Sequence, residues 1–382
     1  MNTRRQARAG ARAGHGVDKA ARRLRNVQRV LQLRQQGAPF YGALDLGTNN
    51  CRLLIARPVP GGGFQVVDAF SRIVRLGEGV SRSGRLSEDA QTRTLEALRI
   101  CANKLRFWNV SRMRLIATQA CRRAENGPEF LRRVRREIGL ELEIIDAGTE
   151  ARLAVMGACP LIERQARHVL VFDIGGGSTE LLWVEHEGGG RRKVRDWISL
   201  PEGVVTLSER HGGREVSPQT YAAMRARVRE ALRDFAARLR TAGLPQRPCH
   251  LLGTSGTVTT ITGVALNLPR YDRNRVDGAW LSRAQVRDIS ERLRAMSLAE
   301  RMAQGCIGRE RADLVVAGCA ILEEILDIWP VERIRVADRG LREGILTHLM
   351  EEDGVMGTEA DAPAQGEDDM KEDKEYGRAT AT

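Results

Sequence analysis

The sequence predicts an α/β protein made of two duplicated domains that face each other across a cleft. Three observations carry this. Short β-branched apolar runs alternate with longer Arg/Ala/Leu segments of helical period. One pattern occurs twice: a strand ending in a carboxylate, a glycine turn, a strand, a triple glycine and a third strand. It opens at Asp45 and again at Asp173, with the carboxylate 16 and 15 residues before the triple glycine and 34 and 30 before a closing glycine. Both turns fall at strand ends, where α/β sheets bind ligands. Two copies of such a unit, each presenting one turn, imply a shared site between them.

Composition bounds the class. A chain of 382 residues holds about two domains. Its apolar runs stay shorter than the ~18 residues of a membrane-spanning helix. The Arg4-Arg5 pair lacks the apolar stretch of an export signal, so no secretory leader is expected. Seven cysteines lie scattered without a C-x-x-C pair, which argues against a zinc site or a disulfide framework and predicts a cytoplasmic protein. The formal charge is +12, of which residues 1–38 carry +9 and residues 351–382 carry −8, leaving +11 for the body. A basic body draws polyanions. No zinc finger or RNP motif is present, and aromatics do not interleave with the basic residues, so no specific nucleic-acid partner is expected.

In chain order, residues 1–38 form a basic extension, with an amphipathic helix over 17–36 that is read as a solvated or body-packed face, contact with a polyanion or membrane surface being the alternative. A strand from Phe40 ends at Asp45. The turn Gly47-Thr48-Asn49 leads into a strand over Arg52–Ala56, and Gly61-Gly62-Gly63 into another over Phe64–Ala69. Ser87 caps a helix to about Phe107, with Glu88 and Asp89 in its first turn. Leu115–Ala117 is a short strand, Pro128 opens a helix to about Ile138, Leu142–Ile145 is a strand, and a helix begins near Gly148. The second copy has strands at Val169–Phe172, Leu181–Val184 and Lys193–Ser199, followed by a long helix from Ser217 to about Gly243. His250–Leu252 is a strand running into Gly253-Thr254-Ser255-Gly256-Thr257 and a Thr-rich helix. Helices over 282–296 and 311–326, a strand at Ile334–Val336 and a last helix complete the body. Residues 351–382 are acidic and aperiodic, a disordered tail. The units are therefore 1–38, 39–152, 153–350 and 351–382.

The stretch Asp173-Ile-Gly-Gly-Gly-Ser-Thr-Glu180 bears the chemistry most plainly. Gly175, Gly176 and Gly177 offer backbone N–H groups with no Cβ in the way, which suits a phosphate. Asp173 and Glu180 flank the turn and can hold a hard cation such as Mg²⁺ against it. The plain alternative is a hairpin with a glycine turn, and for the two Asp residues a turn that bonds its own backbone.

Together with Asp45-Leu-Gly-Thr-Asn49 and Leu252-Gly-Thr-Ser-Gly-Thr257, this stretch resembles the phosphate motifs of the actin/Hsp70/sugar-kinase superfamily. Three further stretches, Ala117-Thr-Gln-Ala-Cys-Arg122, Gly148-Thr-Glu-Ala-Arg-Leu153 and Gly340-Leu-Arg-Glu-Gly344, resemble the Ppx/GppA family of exopolyphosphatases and guanosine pentaphosphate phosphohydrolases. The likeness covers roughly residues 40–348. It implies two RNase H-like (actin-like ATPase) domains with an interdomain cleft. It also implies a Mg²⁺-dependent (or other divalent-cation-dependent) phosphohydrolase acting on polyphosphate or guanosine pentaphosphate, and a homodimer. By the resemblance Glu150 is the catalytic carboxylate, and Asp173, Glu180 and Asp45 are the metal carboxylates. Thr48, Asn49, Arg122, Gly175, Gly176, Gly177, Ser178, Gly256 and Thr257 bind phosphate. Thr149 stands where family members often have a second glutamate, and Cys121 where leucine is usual. The extra C-terminal helical region of longer members is absent, so processivity on long chains is not expected.

On sequence alone Glu150 also reads as a first-turn glutamate that stabilises a helix N-terminus. Two other functions fit the superfamily: an ATPase or kinase, and a regulator that binds (p)ppGpp or polyphosphate without turnover. The Glu150 stretch and the lack of a sugar-acceptor signature speak against the ATPase or kinase.

Overall fold

A computed structural model describes residues 37–187 and 192–356. The stretch 17–36, where a basic helix is expected, the triple glycine Gly188–Gly190 and most of the acidic tail lie outside the described residues.

Two sheets form the frame. The first has strands β1 (Tyr41–Leu46), β2 (Asn50–Pro58), β3 (Phe64–Ile73), β4 (Arg112–Ala117) and β5 (Glu143–Ile144), in the order β3-β2-β1-β4-β5. The second has β6 (His168–Ile174), β7 (Thr179–His186), β8 (Arg192–Leu200), β9 (His250–Thr254), β10 (Trp280–Ser282) and β11 (Arg333–Ala337), in the order β10-β11-β9-β6-β7-β8. Each has an antiparallel meander on one side of its founding strand and parallel strands on the other. β10 adds an antiparallel edge to the second sheet alone.

The duplication extends to the register. Asp45 lies opposite Arg52 on β2, and Asp173 lies opposite Glu180 on β7, so both founding carboxylates face a residue seven positions on. Gly47 N–H donates to Asn50 O at 2.9 Å, and Gly175 N–H donates to Ser178 O at 2.9 Å. Each meander has a bulge at the matching place, between Ile55 and Ala56 and between Trp183 and Val184. Opposite the bulges stand Asp68 and Asp196. Asp68 is held by Lys104 Nζ at 2.7 Å and Trp108 Nε1 at 2.9 Å. Asp196 is held by Arg238 Nε at 2.9 Å. A bulge re-aims the strand beside it, and here a side chain of the covering helix anchors it each time.

The helices start where the local chemistry puts them. Ser87 Oγ accepts from Ala90 N–H to begin the helix Glu88–Trp108, and Ser217 Oγ accepts from Thr220 N–H to begin Pro218–Thr241. Asp146 caps Ala147–Ala158 by accepting from Thr149 N–H, a cap the sequence reading passed over. The helix read over 311–326 runs over Val315–Ile328. Short helices such as Val204–His211 were not anticipated, because they are held by the glycine loop beside them rather than by periodicity.

Each sheet has helices on both faces. Helices Glu88–Trp108 and Gly127–Ile138 bury one face of the first sheet through Leu98, Leu105, Phe130 and Val134. Helices Pro218–Thr241, Ser255–Ala265, Arg283–Ala295 and Val315–Ile328 bury one face of the second, around Phe172, Trp183, Phe235 and Ile321. The remaining faces are linked through Ala147–Ala158. Its Ala151, Val155 and Ala158 pack on the second sheet, while its Leu153 packs with Ile345, Leu346 and Leu349 on the first. The last helix, Leu341–Glu352, thus crosses back to cover the first sheet, although its sequence position follows the second. Glu352 and Asp353, read from sequence as tail, are held in place: Arg112 pairs with both, and Tyr41 Oη donates to Asp353 Oδ2 at 2.8 Å. Among the described residues no helix is long and apolar enough to cross a membrane.

Candidate active site

The carboxyl ends of β1, β4, β6, β9 and β11 converge on one cleft between the sheets, with about 760 Å³ of space, part of it open solvent. It is lined by Asp45, Thr48 and Asn49 from the first domain and by Asp173, Gly175, Gly176, Gly177, Ser178 and Glu180 from the second. Glu150 enters from the linking helix.

The two glycine loops touch. A Cβ on Gly176 would lie 3.2 Å from Asn49 N, and one on Gly177 would lie 1.8 Å from Gln119 Oε1 and 2.6 Å from Thr48 Oγ1. Glycine is what lets the second loop approach the first this closely. Gly203 supports the second loop from behind, and Val204 N–H and Val205 N–H donate to Gly175 O and Gly176 O at 3.0 and 2.7 Å. A Cβ on Gly203 would sit 2.5 Å from Gly176 O and 2.7 Å from Gly175 O, both backbone atoms. The variant Gly203→Ala therefore forces the loop to move. It is expected to lose ~1–3 kcal/mol in chemical denaturation, the usual cost of overpacking, together with most of the site's activity.

Of the carboxyl groups that line this space, Asp45, Glu150, Asp173 and Glu180 are raised above the usual carboxylate range. Burial pushes Asp173 up to about 6, against the opposing pull of Arg52 and of a Ser255 hydrogen bond. Burial and then the Asp173 charge push Glu180 up to about 7. Burial raises Asp45, with Arg52 and Arg342 opposing. Glu150 stands well above the ordinary value, because of burial first and the Glu180 charge second. Ser199 Oγ donates to Glu180 Oε1 at 2.7 Å and fixes its orientation.

The donor set is all oxygen, which suits a hard cation. No group of three or more His, Cys, Asp or Glu side chains close enough to hold a metal ion occurs among the described residues, so Asp45, Asp173 and Glu180 do not form one. An ion here would use one or two carboxylates and complete its shell with water and substrate oxygens, the usual habit of Mg²⁺.

Other residues expected from the sequence are placed unequally. Arg122 was expected to face phosphate. Instead its Nη1 donates to Glu150 Oε2 at 3.2 Å and to Ile145 O at 2.7 Å. It holds the glutamate, because the short helix Gln119–Arg123 aims it at the start of Ala147–Ala158 rather than into the cleft. Arg123 beside it is exposed. Gly256 and Thr257 line an adjoining recess, and Thr257 Oγ1 donates to Ile174 O at 3.3 Å. Thr149 Oγ1 bonds Asp146 Oδ2 at 2.6 Å, a capping role.

Sequence reasoning missed three arginines. Arg52 and Arg342 line the cleft, and Arg311 lines the recess, with its Nη1 donating to Thr260 Oγ1 at 2.8 Å. Arg52 and Arg311 meet over Gly256: a Cβ there would lie 3.4 and 3.3 Å from their Nη2 atoms. The repeat itself signals Arg52, which occupies in the first copy the position of Glu180 in the second.

Two glycine loops face each other on the duplicated sheets, and the half-buried Glu150 lines the cleft with them. The family model described as the Ppx/GppA phosphatase family covers residues 54–353. The chain belongs to the Ppx/GppA phosphatase family. Exopolyphosphatase 2 of Mycobacterium tuberculosis is 32% identical over 321 residues, which span 80% of this chain and 97% of the relative. Among solved Ppx/GppA structures, the Aquifex aeolicus PPX-GPPA enzyme is 30% identical with a TM-score of 0.68, over 81% of this chain and 99% of that one. An exopolyphosphatase from Cytophaga hutchinsonii is 25% identical with a TM-score of 0.74, over 83% of this chain and 100% of that one. These Ppx/GppA neighbours have the two-domain, actin-like α/β fold seen here.

Proposed function

We propose that this cleft hydrolyses terminal phosphoanhydride bonds, releasing orthophosphate from inorganic polyphosphate or from the 5′ end of guanosine pentaphosphate. The observation that carries this reading is Glu150: a half-buried carboxylate with raised proton affinity, hydrogen-bonded by Arg122 and lining the cleft with two phosphate-type loops. A glutamate tuned upward toward neutral pH accepts a proton better than an ordinary one. Arg122 fixes the direction in which its carboxylate points. The substrate carries dense negative charge, and a nucleophile is repelled until that charge is offset. Gly176–Ser178 N–H groups, the Thr48–Asn49 turn and Arg52 offset it on the protein side. Glu150 then orients a water toward the end phosphorus and takes its proton, while the shortened chain leaves as the anion.

We also propose that Asp173 and Glu180 hold a divalent cation, Mg²⁺ by hardness, which when bound supplies further charge neutralisation on the phosphate oxygens. The relatives named exopolyphosphatase support polyphosphate as substrate. Seven free cysteines among the described residues suit a reducing compartment, and we propose the cytoplasm.

The test is orthophosphate release by the purified protein with Mg²⁺ on polyphosphate, guanosine pentaphosphate and ATP. Release from polyphosphate or guanosine pentaphosphate, well above that from ATP, is expected. Preferred ATP hydrolysis would make this an actin-like-fold ATPase. Tight binding of polyphosphate or guanosine pentaphosphate without release would make it a binding regulator.

A further inference from the structure

The stretch Gly340-Leu341-Arg342-Glu343-Gly344 has a packing role in all but one of its polar parts. A Cβ on Gly344 would lie 1.8 Å from Leu153 O, and one on Gly157 would lie 1.9 Å from Gly340 O. The last helix therefore lies backbone against backbone on the helix that carries Glu150. Glu343 is fully engaged: its Oε2 accepts from Gly340 N–H at 3.0 Å and its Oε1 from Arg273 Nη2 at 2.8 Å. Leu341 packs with the core that joins this helix to the first sheet.

Arg342 fits none of these roles. Its side chain lines the same cleft as Asp45, Glu150, Asp173 and Glu180. Among the described residues no hydrogen bond and no ion pair to its guanidinium is found, within limits of 3.5 and 4.0 Å. Burial disfavours its charge, and Arg52 and Arg273 act in the same direction, offset in part by Glu343 and Asp45. A recessed cation without an ion-pair partner lowers the stability of the free protein. The close packing of the two helices rests on glycines and does not need it. What it can do is meet an anion: a planar fork of N–H donors matches two phosphate oxygens at once.

We propose that Arg342 is a phosphate-binding residue of the cleft that contacts non-bridging oxygens of the phosphoryl group attacked by the water on Glu150. This rests on the phosphohydrolase reading above. The last helix then carries substrate contact on its first turn and holds the Glu150 helix along its length, so one element sets the distance between nucleophile and target.

Arg342→Met and Arg342→Lys test it, with tripolyphosphate as the probe. Melting temperature is measured with and without the probe, alongside orthophosphate release. Arg342→Met is expected to melt at or above wild type without ligand and to lose most of the tripolyphosphate-induced rise. Its kcat/KM is expected to fall ~10²-fold or more, the usual loss on deleting one charge-stabilising donor. Arg342→Lys is expected to fold and to keep a point charge but not the fork, with a loss of at least ~10-fold. The proposal is overturned if Arg342→Met melts several degrees lower while keeping the ligand-induced rise, or if either variant hydrolyses tripolyphosphate at the wild-type rate. If Arg342→Met does not fold, the lysine variant decides. Wild-type protein that releases orthophosphate from neither tripolyphosphate nor guanosine pentaphosphate overturns the phosphohydrolase reading itself, a result distinct from wild-type hydrolysis with an indifferent Arg342.

Discussion

Glu150→Gln is expected to reduce orthophosphate release by ~10²–10⁴-fold while leaving tripolyphosphate binding within a few-fold of wild type, since this is the usual span for removing a general base. The amide keeps the shape of the side chain and can still accept the Arg122 hydrogen bond, now 3.2 Å long. What it loses is the ability to take a proton. The same substitution is expected to raise the melting temperature near pH 8, because it removes a carboxylate whose charged form is opposed by burial and by Glu180. Activity down with stability up separates a base from a helix-capping glutamate, for which both would fall. A variant that releases phosphate at the wild-type rate would remove Glu150 from the mechanism.

The second large effect concerns Glu180 and pH. Its folded value is raised from 4.5 to about 7 by burial and by Asp173. A carboxyl raised in the folded state stays protonated there while the unfolded chain ionises. Its contribution to stability is thus fully present below the unfolded value and is lost as pH rises through the folded one. The window runs from about 4.5 to about 7, and the loss is on the order of 3 kcal/mol in metal-free protein. Glu180→Gln removes this dependence and keeps an acceptor for Ser199 Oγ. The difference in melting temperature, variant minus wild type, is expected to be near zero at pH 4.5 and to grow by several degrees toward pH 8. Mg²⁺ at pH 8 is expected to raise the wild type and not the variant, closing the gap. A flat difference across the range, or an equal Mg²⁺ effect on both proteins, would take Glu180 out of the cation site.

The fold was readable because it repeats. Asp45 and Asp173, their glycine turns and the three-stranded meanders behind them recur at matched spacing, and a duplicated pattern outweighs weak local signals. Glu150 lines the cleft. Less was readable where side chains from distant parts of the sequence meet. Arg122 carries the right charge, but only the placement of its short helix shows that it points at Glu150 and Ile145 O. Arg52 could have been found by laying one copy on the other, since it stands seven residues after Asp45 as Glu180 does after Asp173. Arg311 had no such signal, because its place depends on how the loop before Val315–Ile328 packs over Gly256. The last helix follows the second domain in sequence yet covers the first, and its apolar positions Ile345, Leu346 and Leu349 do not say which sheet they meet.

The central step is a water aimed by Glu150 at the end phosphorus of a chain held between the two loops. Hydrolysis of tripolyphosphate in ¹⁸O-labelled water, with both products analysed by mass, tests this directly. Attack at the end phosphorus places one solvent oxygen in the released orthophosphate and none in the pyrophosphate. Label in the pyrophosphate and none in the orthophosphate would contradict it.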